Sequence, residues 1–456
     1  VDADSRTFAS YDEAMGYLFT LTNYERGIVH KPRTTPKLGL ERIARLLEFV
    51  GNPERRLRAV HIAGTKGKGS TATMAANALT QAGYKTGLFV SPHVEHVRER
   101  IQIDGRWIPE EAVREHVNGM YDYLRRSETR QDGIYKPTFF EVFTTVAFMH
   151  FAAEAVDFAV VEVGMGGRLD TTNVLQPLVC GITPVSMDHT EVLGPTLAAI
   201  AGEKAGIIKP GVPVICGRQQ PEALAVIRDA CRERNAPLHV LDEDIAIESS
   251  EKSFAVRTWA GSVEGISLKM PGEHQVTNAA TAAGLLLSLR ERGHAVLTDQ
   301  QIAAGLSSAF CPARVEMVRS RPATVVDSAH NPASIRALLA TLRTSFRFER
   351  LVCVVAIARD KDVATMLRLI CSDAQYVVFT RMNNPRACLP EELAEAAGKL
   401  GVASVTTRPD IGSAIAAAEA FAREDDLICV CGSFYLAGDA RALLAGPAVQ
   451  QNIKLA

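Results

Sequence analysis

Residues 59–79 read AVHIAGTKGKGSTATMAANAL, and this stretch decides the fold. Ala59 to Ala63 is a short apolar run that reads as a strand. Gly64-Thr65-Lys66-Gly67-Lys68-Gly69-Ser70 follows, and Ser70 to Ala82 has helical spacing. Glycines let the backbone bend until successive N–H groups point at one anion, and a helix N-terminus adds partial positive charge. Lys68 can reach the β- and γ-phosphates of a nucleotide, and a hydroxyl can hold the metal. The spacing departs from the common G-x-x-x-x-G-K-S/T, because Gly69 separates Lys68 from Ser70. The bland alternative is a plain glycine-rich turn. A strand before, a helix after and a lysine inside favour a phosphate loop.

Outward from this loop the text alternates between strands and helices. Apolar runs recur at Thr86 to Val90, Phe158 to Val163, Val179 to Pro184 and Pro213 to Cys216, with a helical stretch at Phe140 to Ala155. That pattern predicts a mostly parallel sheet covered on both faces. Ala246 to Leu268 alternates differently, with Gly261 and Gly265 as turns, and predicts a small antiparallel patch; a helix from Val276 to Arg292 follows. A second α/β series has runs at Ala323 to Val326, Leu351 to Ala356, Tyr376 to Thr380, Ser404 to Thr406 and Leu427 to Val430. The fold expected is α/β: a P-loop-type domain over 1–309, a linker at 310–315 where FCPARV breaks a helix, and a smaller Rossmann-like domain over 316–456. A length of 456 residues exceeds what one core usually fills. Before the loop, Ser10 caps one helix and Leu40 to Val50 forms another. The stretch between them is long enough to invite a functional reading.

Composition narrows the function. Lys plus Arg is 50 and Asp plus Glu is 52, for a net charge of -2. Such a balance argues against a dedicated nucleic-acid binder or a polybasic membrane binder. No apolar run approaches the ~20 residues of a membrane span, and the first residues are acidic where a signal peptide needs bases. The nine cysteines are scattered with no C-x-x-C pair, which predicts reduced thiols in a cytoplasmic protein.

Further polar groups stand where strands end, which is where ligands bind in open α/β sheets. Glu162 ends an apolar strand, like a Walker-B acid. Gly164 to Asn173 packs three glycines beside Arg168, Asp170 and Asn173. His189 follows the run ending at Pro184. Lys204 reads as an ordinary lysine late in a helix. In the second domain, Asp327-Ser-Ala-His330-Asn-Pro and Gly432-Ser433-Phe-Tyr435 follow strands in the same way.

Taken together, the motifs resemble the folylpolyglutamate synthase and dihydrofolate synthase family of the Mur ligase superfamily. They are GTKGKGS (64–70), SPH (91–93), PTFFE (137–141), EVGMGGRLDTTN (162–173) and MDHTEVLG (187–194). GEKAGI (202–207), EHQVTNAATA (273–282), PAR (312–314), DSAHNP (327–332) and GSFYLAGDAR (432–441) continue the series in order. The resemblance implies ATP-dependent ligation of L-glutamate to a folate-type acid, dihydropteroate or tetrahydrofolyl-glutamates, through an acyl phosphate; the bifunctional bacterial type is the one expected. It implies that Gly64, Thr65, Lys66, Gly67, Lys68, Gly69, Ser70, Asn278, Arg314 and Asp327 hold ATP. Ser70, Ser91, Glu162 and His189 would hold Mg²⁺, with Mn²⁺ the alternative because imidazole is atypical on Mg²⁺. Flavin, haem and zinc are not expected. Catalytic roles fall to Lys68, Glu162, His189, His330 and Lys204, whose counterpart in the family is carbamylated. Leu38, Gly39, Leu40, Thr138, Phe139, Phe140, Glu141, Leu169, Asp170 and Thr171 match pterin-side contacts. His330, Ser433 and Tyr435 would lie near glutamate. A monomer acting on small molecules, with neither nucleic-acid nor membrane partners, is expected. The alternatives are a related amide ligase for a non-folate acid and a non-catalytic nucleotide sensor. Three features depart from the family: Lys66 in place of the usual Asn, Ser328 in place of Gly or Val, and a long segment from Tyr24 to Lys37.

Overall fold

The computed structural model describes residues 7–23, 39–128, 136–400 and 404–444. The chain forms two compact units. One comprises the chain up to Ser91, Arg98–Lys269 and Val276–Ala309; the other comprises Pro92–Val97, Met270–Gln275 and the chain from Phe310 onward.

The first unit holds an eight-stranded sheet among the described residues. Its strands are β1 (Ala59–Ala63), β2 (Thr86–Phe89), β3 (Ile101–Ile103), β4 (Arg106–Trp107), β5 (Phe158–Glu162), β6 (Pro177–Ile182), β7 (Val214–Cys216) and β8 (Leu238–Val240). Their order is β4-β3-β2-β5-β1-β6-β7-β8. From β2 to β8 the pairs are parallel. β1 and β5 are buried along their whole length, which is why they read as unbroken apolar runs. The phosphate-loop strand therefore lies in the interior of the sheet. A separate antiparallel sheet consists of β9 (Ile245–Ser249), β10 (Phe254–Thr258) and β11 (Gly261–Ile266).

One edge of the large sheet differs from the expected pattern. β3 and β4 form an antiparallel hairpin. Asp104 and Gly105 at its tip have φ +53° and +76°, the backbone of a tight primed turn. Asp104 Oδ1 also accepts the Thr86 N–H at 2.8 Å, tying the turn to β2.

Close packing matters behind the phosphate loop. Helix Asp299–Ser308 lies against helix Lys68–Gln81. A Cβ on Gly305 would collide with Ala78, and Asn77 Nδ2 donates to Gly305 O at 2.7 Å. Gly305→Leu is therefore expected to cost about 3 kcal/mol, the upper end for overpacking. A lowered urea midpoint at unchanged m-value would show it.

Among the described residues the second unit holds a six-stranded sheet of β12 (Glu316–Ser320), β13 (Ala323–Val326), β14 (Leu351–Val355), β15 (Tyr376–Phe379), β16 (Val405–Thr407) and β17 (Leu427–Cys431). The order is β12-β13-β17-β14-β15-β16, parallel except for β12. Helices between the strands cover an apolar core on both faces. All nine cysteines are free thiols. Among the described residues no helix is long and apolar enough to cross a membrane.

Candidate functional site

The loop after β1 is held open by two glycines in backbone that other residues rarely adopt. Gly64 has φ +147° and Gly67 +85°. A Cβ on Gly64 would strike Thr183, and one on Gly67 would strike Asn278 Oδ1. Gly67 is the N-cap of the helix, which starts at Lys68 rather than at Ser70. Lys68, Gly69 and Ser70 are thus the first helical turn, where unpaired N–H groups gather. The Thr65 and Lys66 amides donate to Pro184 O at 3.0 and 3.2 Å, which pins the loop to the chain end of the neighbouring β6.

Glu162, at the end of β5, is 4% exposed. Its Oε2 accepts the Ser91 N–H at 2.9 Å, and Oε1 lies 3.8 Å from Lys68 Nζ. A Cβ on Gly69 would sit 3.3 Å from the same carboxylate, so Gly69 lets it approach the helix start. Lys66 pairs with Asp188 at 3.0 Å. His189 caps the short helix Thr190–Leu193 with φ +50°. Its ring is half-exposed, with Nε2 3.9 Å from Asp188 Oδ1.

Lys204 departs most from its reading as an ordinary helix-end lysine. It is 4% exposed, and its Nζ donates to Gly64 O at 2.8 Å. Burial, joined by the positive charges of Lys68 and Lys66 against Asp188 and Asp170, lowers its pKa to about 7. The glycine loop makes this burial feasible: a Cβ on Gly167 would press on the Lys204 backbone, and one on Gly206 would strike Arg168. Arg168 N donates to Glu203 O at 2.7 Å, and Asn173 Nδ2 bridges Arg168 O and Gly206 O.

In the second unit, the loops after β13 and β17 lie side by side, with the Gly432 N–H donating to Ala329 O at 2.9 Å. Asp327 is buried and accepts the amides of Val315 (2.8 Å) and Ala329 (2.7 Å). Burial pushes its pKa up to about 6, against Arg314 and those amides. Arg314 donates to the Ser328 hydroxyl and lies 5.0 Å over the Phe434 ring. Ala313 and Val315 on either side have φ +52° and +50°. A β-branched residue there is strained by about 1–3 kcal/mol. Asp327 holds the Val315 amide, and Glu316 holds that of Ala313 at 2.8 Å. Glu316 is itself gripped by Arg441, which also pairs with Glu95. His330 Nδ1 is 2.9 Å from Ser328 O, and its ring lies 5.2 Å from Phe434. Ser433 Oγ accepts the Tyr435 N–H at 3.1 Å.

Residues 62–286 match the Mur ligase middle domain, and residues 313–434 match the Mur ligase glutamate ligase domain. The dihydrofolate synthase/folylpolyglutamate synthase of Bacillus subtilis is 34% identical over 434 residues, covering 94% of this chain and 100% of that one. The chain belongs to the dihydrofolate synthase/folylpolyglutamate synthase family. Two solved family members share the fold. Escherichia coli FolC in complex with DHPP and ADP superposes with a TM-score of 0.84 at 28% identity, over 98% of this chain and 100% of that one. Mycobacterium tuberculosis folylpolyglutamate synthase complexed with ADP and AMPPCP gives 0.82 at 36% identity, over 89% and 95%. As a member of the dihydrofolate synthase/folylpolyglutamate synthase family the chain is an ATP-dependent ligase, which sets the nucleotide-sensor alternative aside.

In this family member the residues matched to ATP fall into two groups, one in each unit. Gly64 to Ser70 and Asn278 surround the loop after β1, and Arg314 and Asp327 meet through the strained turn in the second unit. Among the matched pterin-side residues, Thr138 and Glu141 form a capping box at the start of helix Phe139–Ala153. Arg42 Nε also donates to Glu141, at 2.9 Å. Phe139 is buried between Phe19 and Phe143, both stacked on it. Phe140 is half-buried against Gly164. Thr171 Oγ1 meets Thr144 Oγ1 at 3.0 Å. Gly39 and Leu40 lead into helix Glu41–Phe49. Leu38 and the Tyr24–Lys37 segment lie outside the described residues. Sequence reasoning missed Asp188, Arg42 and the Glu316–Arg441–Glu95 grip. Asp188 had a signal, an acid directly before His189 after a strand; the other two join residues far apart in the chain.

Proposed function

We propose that the protein joins L-glutamate to a folate-type carboxylate with ATP as the driving reagent. The carboxylate oxygen attacks the γ-phosphorus and ADP leaves. The glutamate amine then attacks the acyl carbon, phosphate leaves, and an amide remains. A carboxylate is a poor electrophile until its oxygen becomes a good leaving group, so catalysis is mainly positioning and charge neutralisation. The observation that carries this reading is the cradle after β1: a left-handed Gly67, Lys68 at the helix start and Glu162 beside both. Relatives solved with ADP and AMPPCP, or with DHPP and ADP, support a nucleotide in that cradle.

The donor set fits Mg²⁺. Ser70 hydroxyl and Glu162 carboxylate are hard oxygen donors, and Mg²⁺ needs few protein ligands when phosphates and water complete its shell. Among the described residues no group of three or more His, Cys, Asp and Glu is placed to hold a metal. Ser91 meets Glu162 through its amide, so its hydroxyl remains a further candidate. Mn²⁺ is the alternative should His189 take part. When bound, the ion would offset phosphate charge as it shifts toward the leaving oxygen.

Free thiols throughout accord with a reducing compartment, the cytoplasm. Both dihydropteroate and tetrahydrofolate are expected as acceptors. The test is phosphate release with ATP, Mg²⁺ and L-glutamate, run in parallel with each acid. Turnover of one alone makes the enzyme a dihydrofolate synthase or a polyglutamate synthase. Turnover of neither, by protein that still binds ATP, would overturn the folate reading. Within the second unit, His330→Ala should raise KM for glutamate about tenfold and change KM for ATP little. The reverse pattern would assign His330 to the nucleotide.

A further inference from the structure

The strand that feeds the phosphate loop carries a histidine that none of the chemistry above uses. His61, three residues before Gly64 on β1, has no exposed surface. Its Nε2 lies 2.8 Å from Thr172 Oγ1, and Thr172 Oγ1 lies 2.5 Å from Asp170 Oδ1. Asp170 is buried as well, and each of its oxygens already accepts a backbone amide. Oδ1 takes Thr172 N at 3.0 Å and Oδ2 takes Met165 N at 2.9 Å. An oxygen pair facing fixed N–H donors acts as an acceptor, so the Thr172 hydroxyl spends its one proton on Asp170. Its lone pair must then receive the proton on His61 Nε2. The tautomer is assigned from this network: Nε2 carries hydrogen and Nδ1 does not. Burial and the nearby Lys209 charge hold the ring neutral, with its pKa lowered to about 3. Lys209 Nζ meanwhile donates to Asn173 O at 2.9 Å, beside the same turn.

The polarity of the chain is thus set from β1 outward: His61 to Thr172 to Asp170, which fastens Met165. It spans the segment Met165–Thr172 and ties both ends of that stretch together. We propose that His61 is a positioning residue, whose hydrogen bond to Thr172 holds the Leu169–Thr171 segment in register for the acid acceptor. This rests on the reading that those residues face the folate-type acid. One neutral hydrogen bond of this kind adds only modestly to stability, and β1 is buried on both faces, so an apolar side chain of similar size can replace the ring without unfolding the strand. The effect should therefore appear in substrate use before it appears in stability.

His61→Leu, His61→Gln, Thr172→Val and the His61→Leu/Thr172→Val pair make the test, by steady-state kinetics on the full chain with ATP, Mg²⁺, glutamate and the acid the wild type prefers. His61→Leu and Thr172→Val should each raise KM for the acid about tenfold, with KM for ATP within twofold. The pair should be no worse than the worse single variant, as expected of residues acting through one chain. His61→Gln, which keeps an N–H at that reach, should recover most of the loss. Equal rises for ATP and acid, multiplying effects in the pair, or a glutamine variant as impaired as the leucine would overturn the proposal. Hydrogen exchange supplies a readout independent of turnover. The Met165 and Thr172 amides should exchange at least tenfold faster in His61→Leu and near wild-type rates in His61→Gln; unchanged exchange in both would also overturn it. A wild type inert toward every folate acid but showing the exchange pattern would fail the folate reading and keep the relay.

Discussion

Lys68→Ala should lower kcat/KM by at least about 10³, some 4 kcal/mol of transition-state stabilisation, while the folded protein stays intact. The side chain is largely enclosed, at the first position of the helix, with its Nζ 3.8 Å from Glu162 Oε1. At that spacing the pair is an electrostatic contact and not a short hydrogen bond. Glu162 keeps the Ser91 amide at 2.9 Å when the lysine is gone. The loss to the empty protein should accordingly be about 1–2 kcal/mol, below the 3–5 kcal/mol typical when a tightly bonded buried pair is broken. On the proposed reading, in which Lys68 faces the transferring phosphoryl group, the loss to catalysis is larger, because negative charge there would lack its cation with little water to screen it. Calorimetry with ADP and Mg²⁺, alongside initial rates, separates the two effects. Unchanged nucleotide affinity and unchanged turnover together would remove the loop after β1 from the ATP site.

What could be read in advance, and what could not, follows from where each signal resides. β1, β5, β13 and β17 were placed within a residue of their observed ends, because strands buried on both faces show continuous apolar text. The helix after the phosphate loop was placed two residues late. Its N-cap is Gly67, which offers no side-chain cap to recognise. The β3–β4 hairpin is hard to read from sequence despite the turn signal of its Asp104-Gly105 tip, since strands of three and two residues show almost no alternation. Thr138 and Glu141, matched only as pterin-side residues, also show a signal that went unread. T-x-x-E before an apolar run is a capping signature, and the cap is formed here. That leaves Glu141 committed to Thr138 N and Arg42, so any contact it makes with a ligand is shared with those duties. Lys204 is the instructive case. Spacing on its own helix shows only a cation near a C-terminus. Its burial involves Gly206 at the end of its own helix and Gly64 and Gly167 from two distant turns, and no single stretch of sequence displays that convergence.

Lys204→Met should make the protein more stable at pH 6 and far less active. The ordinary lysine pKa of 10.5 falls to about 7 in the folded chain, chiefly through burial. Below pH 7 both folded and unfolded chains hold the proton, and the folded state bears the whole cost of a buried charge, on the order of several kcal/mol. Between pH 7 and 10.5 the unfolded chain binds more protons than the folded one, so this group's contribution to stability rises with pH. Above 10.5 the cost is gone. Methionine removes that cost at every pH and leaves Gly64 O without its donor, a loss of about 1–3 kcal/mol. The balance favours the variant at pH 6 and moves toward zero or below by pH 9. Thermal melts of both proteins at pH 6, 7.5 and 9 should therefore show a difference in Tm that is positive at pH 6 and shrinks with pH. A difference that stays constant would mean the lysine is not titrating in the folded state. Activity should fall at least 100-fold at every pH. A neutral amine near pH 7 can form an N–C bond to CO₂ and release a proton, which would leave a carbamate anion in the positive field of Lys68 and Lys66. Methionine can do neither. If the carbamate is the working form, bicarbonate should raise wild-type activity and leave Lys204→Met where it was. A wild type indifferent to bicarbonate, with Lys204→Met still inactive, would assign the role to the neutral amine donating to Gly64 O.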